Sequence, residues 1–167
     1  MSTVVNSKED NGIAMLRFAA LLMIPVAALA ADKYDGPRPP KPDMAYLVHA
    51  DNLIPTEALE AKDEGGLYTV PGASSAARTP LAEPIFLIES DKVLPERLEL
   101  YRWDVKGGRR ELATGKGKRK GSARPLHLSV NKVDGRLYRV EASEPLENGE
   151  YSLSPNDSNK VFCFEVY

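Results

Sequence analysis

The stretch that most constrains this chain is RLELYRWDV, residues 97–105, followed at once by KGGRR. Alternation places Glu99, Tyr101, Trp103 and Val105 on one side of an extended strand and Leu98, Leu100, Arg102 and Asp104 on the other. A period of two over this length reads as a strand that offers large aromatics to one face. Gly107 and Gly108 suit the tight turn of a hairpin, and the chain returns through RELAT.

The same grammar recurs along the chain. AYLVHA (45–50) is apolar and β-prone, and PIFLIES (84–90) is almost continuously apolar, as a central strand covered on both faces would be. PLHLSV sets Leu126, Leu128 and Val130 against His127 and Ser129, and NKVDG turns the chain into RLYRVEA. In the last strand, Phe162, Phe164 and Val166 share a face that reads as core, opposite Val161, Cys163, Glu165 and Tyr167. LIPTEALEAKDEGG allows two readings: Thr56 capping a short helix through Lys62, or Gly65-Gly66 closing a hairpin into LYTVPG. Short strands at a spacing of roughly ten residues predict an all-β, antiparallel sandwich or barrel. An immunoglobulin-like β-sandwich is the first expectation.

LENGEYSLS, residues 146–154, brings together Leu146, the turn glycine Gly149, Glu150 and Tyr151 ahead of a final strand. This hairpin resembles the C-terminal hairpin of immunoglobulin-like β-sandwich domains in exported bacterial proteins. The resemblance spans residues 146–167 only. It implies a fold and a compartment, and it carries over no catalytic residue.

Export is also the reading of the N-terminus. Phe18 to Ala30 is an apolar run of 13 residues behind Arg17, ending in the small residues Ala28 and Ala30. A membrane-spanning helix needs about 20 apolar residues, so cleavage after Ala30 is expected and no transmembrane anchor thereafter. Residues 1–14 form a long n-region, and Met15 offers an alternative start. The expected organisation is an N-terminal extension and signal peptide at 1–30, a Pro-rich linker at 31–43 and a β-sandwich domain at 44–167. The linker reading rests on four prolines within residues 35–43. The compartment would be periplasmic or extracellular, and a single cysteine cannot form an internal disulfide there.

A formal net charge of −2 gives the whole chain no pull toward polyanions, so any such attraction must be local. Residues 102–124 hold nine basic residues against Asp104 and Glu111. Lys106, Arg109, Arg110, Lys116, Lys118, Arg119, Lys120 and Arg124 are therefore the candidate contacts for a polyanionic cell-envelope polymer or another envelope protein. No aromatics interleave the run to stack bases, which argues against nucleic acid, and GKGKRKGS lacks the ending of a phosphate-binding loop. The competing reading is a solvated connection whose lysines blunt a sheet edge.

Two histidines and one cysteine are too few for a zinc site, so no metal or other cofactor is expected. His49, Asp51 and Cys163 are the residues a small secreted hydrolase would have to use, although no catalytic motif surrounds them. Cys163 is expected to be a free thiol, partly covered on the face it shares with Glu165. The function expected is thus a non-enzymatic binding or structural accessory of the cell envelope, with the hydrolase as its rival.

Overall fold

The computed structural model describes residues 1–2, 34–114 and 122–167. Among these, the strands are β1 (Tyr46–His49), β2 (Asn52–Pro55), β3 (Glu57–Glu60), β4 (Lys62–Asp63), β5 (Leu67–Pro71), β6 (Arg78–Thr79), β7 (Ile85–Glu89), β8 (Leu98–Lys106), β9 (Arg109–Ala113), β10 (Leu128–Asp134), β11 (Leu137–Ala142), β12 (Gly149–Pro155) and β13 (Lys160–Val166). The chain is all-β. Its strand pairs are antiparallel except that β6 runs parallel to β13.

One sheet is open, in the order β10-β11-β7-β1-β2. β7 lies at its centre with Phe86, Leu87 and Ile88 buried, which is why that segment carries no polar alternation. The other sheet runs β3-β13-β12-β8-β9-β5-β4, and its two ends are halves of one continuous segment. Glu57–Glu60 pairs with β13, the N–H of Ala61 bonds the carbonyl of Asn159 at 2.8 Å, and Lys62 already pairs with Thr69 of β5. The chain passes from one neighbour to the other within a residue, so this sheet closes on itself as a small barrel. β8 pairs with β9 only over 104–106; at residues 98–103 the two strands part, and the segment before β10 bonds to both. Ala123 N–H reaches the carbonyl of Ala113 at 2.7 Å, and Leu126 N–H reaches that of Leu100 at 2.8 Å.

Closure decides the LIPTEALEAKDEGG ambiguity in favour of strands. Thr56, instead of capping a helix, is buried and bonds the carbonyl of Ala45 through both its N–H (3.1 Å) and its Oγ1 (2.7 Å). The Gly107-Gly108 hairpin forms as the alternation requires, with φ angles of 57° and 77°. The immunoglobulin-like arrangement is not established by this strand order, because the second sheet is a closed barrel rather than one open layer of a sandwich.

The main core lies between the open sheet and one side of the barrel. Phe86 and Ile88 meet Leu100, Leu153, Phe162 and Phe164 there, all with no exposed surface. Phe164 is central: its ring meets Phe86 edge-on at 4.8 Å and stacks on Tyr151 at 5.6 Å. Leu126, Leu128 and Val130 pack against this core, as their shared face requires. The Pro-rich segment also touches the domain: Arg38 pairs with Asp134, and Asp43 Oδ1 accepts the N–H groups of Asp91, Lys92 and Val93 at 2.7–2.9 Å. Replacing Phe164 with alanine removes both ring contacts and leaves a cavity between the layers. Urea unfolding should show a loss of about 3–5 kcal/mol.

Candidate functional site

Inside the barrel the alternation of every strand converges. Tyr101 and Trp103 of β8, Arg110 and Leu112 of β9, Val70 of β5, Val161 and Cys163 of β13 and Ser152 of β12 belong to the faces that turn inward. Trp103, 3% exposed, sits midway and donates its Nε1–H to Ser152 Oγ at 2.8 Å; Ser152 in turn lies 2.9 Å from Ser154 Oγ.

One end of the interior is shut by charge. Arg110, with 0% exposure, bonds Glu57 at 2.9 Å and Ser75 Oγ at 2.5 Å, and the carbonyls of Pro71 and Gly72 at 2.8 and 3.1 Å. Glu150 lies 3.5 Å from the guanidinium and accepts the Ser75 N–H and Oγ–H, the latter at 2.6 Å. The loop after β5 is thereby tied across this end by three strands at once. No buried side-chain nitrogen or oxygen among the described residues lacks a hydrogen-bond partner, which is what a buried ion cluster requires to be tolerated.

Among the described residues the opposite end is open. A cavity of about 620 Å³ reaches in toward Trp103 and Leu112, with Tyr68 and Tyr101 as half-buried walls and Asp63 and Glu99 beside them. The β12–β13 loop, Asn156 to Asn159, supplies its rim. Tyr101 donates its hydroxyl to Glu99 at 2.8 Å, and burial together with that carboxylate raises the phenol well above its ordinary pKa. It therefore remains a neutral donor at any physiological pH. Asp63 accepts the N–H of Gly66 at 2.8 Å, which fixes its carboxylate in the β4–β5 turn. Among the described residues no group of three or more His, Cys, Asp or Glu side chains could hold a metal ion, so the acids of this mouth are spread around it rather than gathered at a point.

The residues singled out from the sequence scatter by comparison. Arg110 is withdrawn from the basic candidates: it is a buried tie within the barrel, because its alternation on β9 turns it inward. Arg109 faces out and pairs with Glu111 at 2.7 Å, while Lys106 pairs with Asp104 at 3.0 Å. Arg124 is exposed beside a separate hollow shared with Arg102 and Tyr151. Lys116, Lys118, Arg119 and Lys120 lie outside the described residues. His49 and Asp51 flank Ala50 at the exposed tip of the β1–β2 hairpin, on the open sheet. Cys163 is in the barrel wall, so the three do not form one site. The partial cover expected for Cys163 is corrected: its face is the barrel interior, and its exposure is 0%.

Sequence reasoning found the aromatic face of β8 but missed Asp63, Tyr68, Ser154 and the 156–159 rim as its partners. The available signal was the run Glu150, Ser152, Ser154, three polar residues alternating with Tyr151 and Leu153 on an interior strand. No protein-family model, no curated protein and no solved structure matches this chain.

The closed end and the thiol beside it can each be tested. Arg110→Ala strands Glu57 and Glu150 and should cost about 3–5 kcal/mol in urea unfolding. Arg110→Met combined with Glu150→Gln should lose less than that single change. Burial pushes the Cys163 thiol up to about 12, so it should resist a disulfide-exchange reagent at pH 8 until the chain unfolds. The raised thiol favours the protonated folded state. Its contribution to stability should be complete below the ordinary thiol range near 9 and decline as pH rises toward 12.

Proposed function

We propose that this protein is an exported, non-enzymatic binding protein that takes a small ligand at the open mouth of its barrel. The observation that carries the reading is the asymmetry of the barrel interior. One end is filled by the Arg110 cluster and its loop, and the other presents, among the described residues, a concave cavity of about 620 Å³ with Tyr68, Tyr101 and Trp103 in its lining. Ligand pockets are commonly about 300–1,000 Å³, lined by apolar and aromatic surface with a few converging polar groups. The tied end supports this role, since a rigid base keeps the mouth in one shape without a ligand.

Export rests on the 18–30 run, which lies outside the described residues; among those described, no helix is long and apolar enough to cross a membrane. The binding reading draws no support from the scattered His49, Asp51 and Cys163, and it replaces the basic segment as the principal contact surface.

Trp103 is the only tryptophan and lines the cavity, so its emission reports occupancy directly. Titration of the purified chain with a panel of neutral sugars, amino sugars, organic amines and carboxylic acids should give a saturable change with at least one class. Tyr101→Ala should weaken that response at least tenfold, whereas Ser74→Ala, at the tied end, should leave it unchanged. A flat response to the whole panel, or equal binding by Tyr101→Ala, would overturn the reading.

A further inference from the structure

Building on the barrel mouth as the binding site, we infer that Ser154 determines its specificity, donating its hydroxyl to an oxygen acceptor on a ring-shaped ligand. The observation is a chain of hydrogen bonds that starts inside the barrel and ends at the cavity. Trp103 donates its Nε1–H to Ser152 Oγ at 2.8 Å, and Ser152 Oγ lies 2.9 Å from Ser154 Oγ. Ser152 is 0% exposed, whereas Ser154 is 8% exposed and lines the cavity. Neither hydroxyl has a further hydrogen-bond partner among the described residues.

The direction of the chain follows from counting donors. An indole N–H can only donate, so Ser152 accepts from Trp103; a hydroxyl carries one proton and two acceptor sites. If Ser154 donated to Ser152, the Ser152 proton would be left without a partner at a position closed to water, which is the costly case. With Ser152 donating to Ser154, every interior group is answered, and the one unspent proton sits on Ser154 at the cavity wall. Trp103 thereby polarises the pair, and the mouth holds a nearly buried donor of fixed origin. A ligand that displaces water from such a donor loses affinity unless it brings an acceptor of its own.

The ring comes from the neighbours of Ser154. Tyr68 and Tyr101 line the same cavity as half-buried rings, whose faces suit the flat apolar face of another ring. By register Ser154 stands opposite Glu99 of β8, whose carboxylate accepts the Tyr101 hydroxyl at 2.8 Å, so donor and aromatic wall are set side by side. A hydroxyl or a carboxylate on a ring meets the requirement. A ring whose only polar group is an ammonium brings protons alone and does not.

Titration of the full chain, read by Trp103 emission, decides this with three ring probes: cellobiose, cyclohexanecarboxylate and cyclohexylammonium. Cellobiose or cyclohexanecarboxylate should bind at least about tenfold more tightly than cyclohexylammonium, and which of them does so tells a neutral oxygen from an anionic one. In Ser154→Ala the preference should vanish through weaker binding of the acceptor probe alone. Ser154→Thr, which keeps the hydroxyl, should restore it. Cyclohexylammonium binding as tightly as both acceptor probes, or a preference that Ser154→Ala leaves intact, overturns the assignment while the mouth remains a binding site. If none of the three binds but another compound of the wider panel does, the same variant decides: unchanged binding overturns the assignment, and a loss of about tenfold upholds it. If nothing binds at all, the assignment and the binding function both fail.

Discussion

Arg110 holds the barrel to a single geometry. It is a full positive charge removed from water, and such a group persists only where its hydrogen-bonding fork is answered. Here the answer comes from three places far apart in sequence: Glu57 on β3, the 71–75 segment with the carbonyls of Pro71 and Gly72 and the hydroxyl of Ser75, and Glu150 on β12. Pro71 and Gly72 belong to the strand beside β9 and its loop, but Glu57 and Glu150 stand on strands that do not neighbour β9 and reach Arg110 only across the closed barrel. The cluster therefore ties closure to loop placement, and it supplies geometric specificity where an apolar plug would supply only volume.

That tie sets the character of the other end. With β3, β9 and β12 joined below, their upper residues are held apart at fixed separations, and Trp103 forms a floor through its bond to Ser152. The mouth is then a consequence of strand lengths. β9 ends at Ala113, β12 and β13 are joined by a loop of polar residues, and the short β4–β5 hairpin stops at Asp63. Among the described residues too few large side chains remain to fill the last layer, so a cavity persists where the aromatic wall of β8 emerges.

Strand faces were legible from alternation alone. The partition of Leu98 and Leu100 from Tyr101 and Trp103 is the one the structure uses, and so is the partition of Phe162 and Phe164 from Val161 and Cys163. The two-glycine hairpin and the central strand at 85–89 were also readable, because both depend on local backbone preference and continuous burial. The candidate site was read poorly. A run of basic residues stands out in a sequence, yet only its members' strand faces decide which reach solvent, and Arg110 does not.

The sequence by itself determined that this protein is built of short antiparallel strands and which residues share each face, since a pleated strand sends neighbours to opposite sides whatever surrounds it. Tertiary structure alone decided that the second face of β8, β9, β12 and β13 is an enclosed interior. That outcome depends on residues 57–63 bridging β13 and β5, pairings made across as many as 106 positions between Glu57 and Cys163. No local pattern encodes such contacts. Closing the sheet turned Cys163 into wall, Arg110 into a tie and the face of Tyr101 and Trp103 into a pocket.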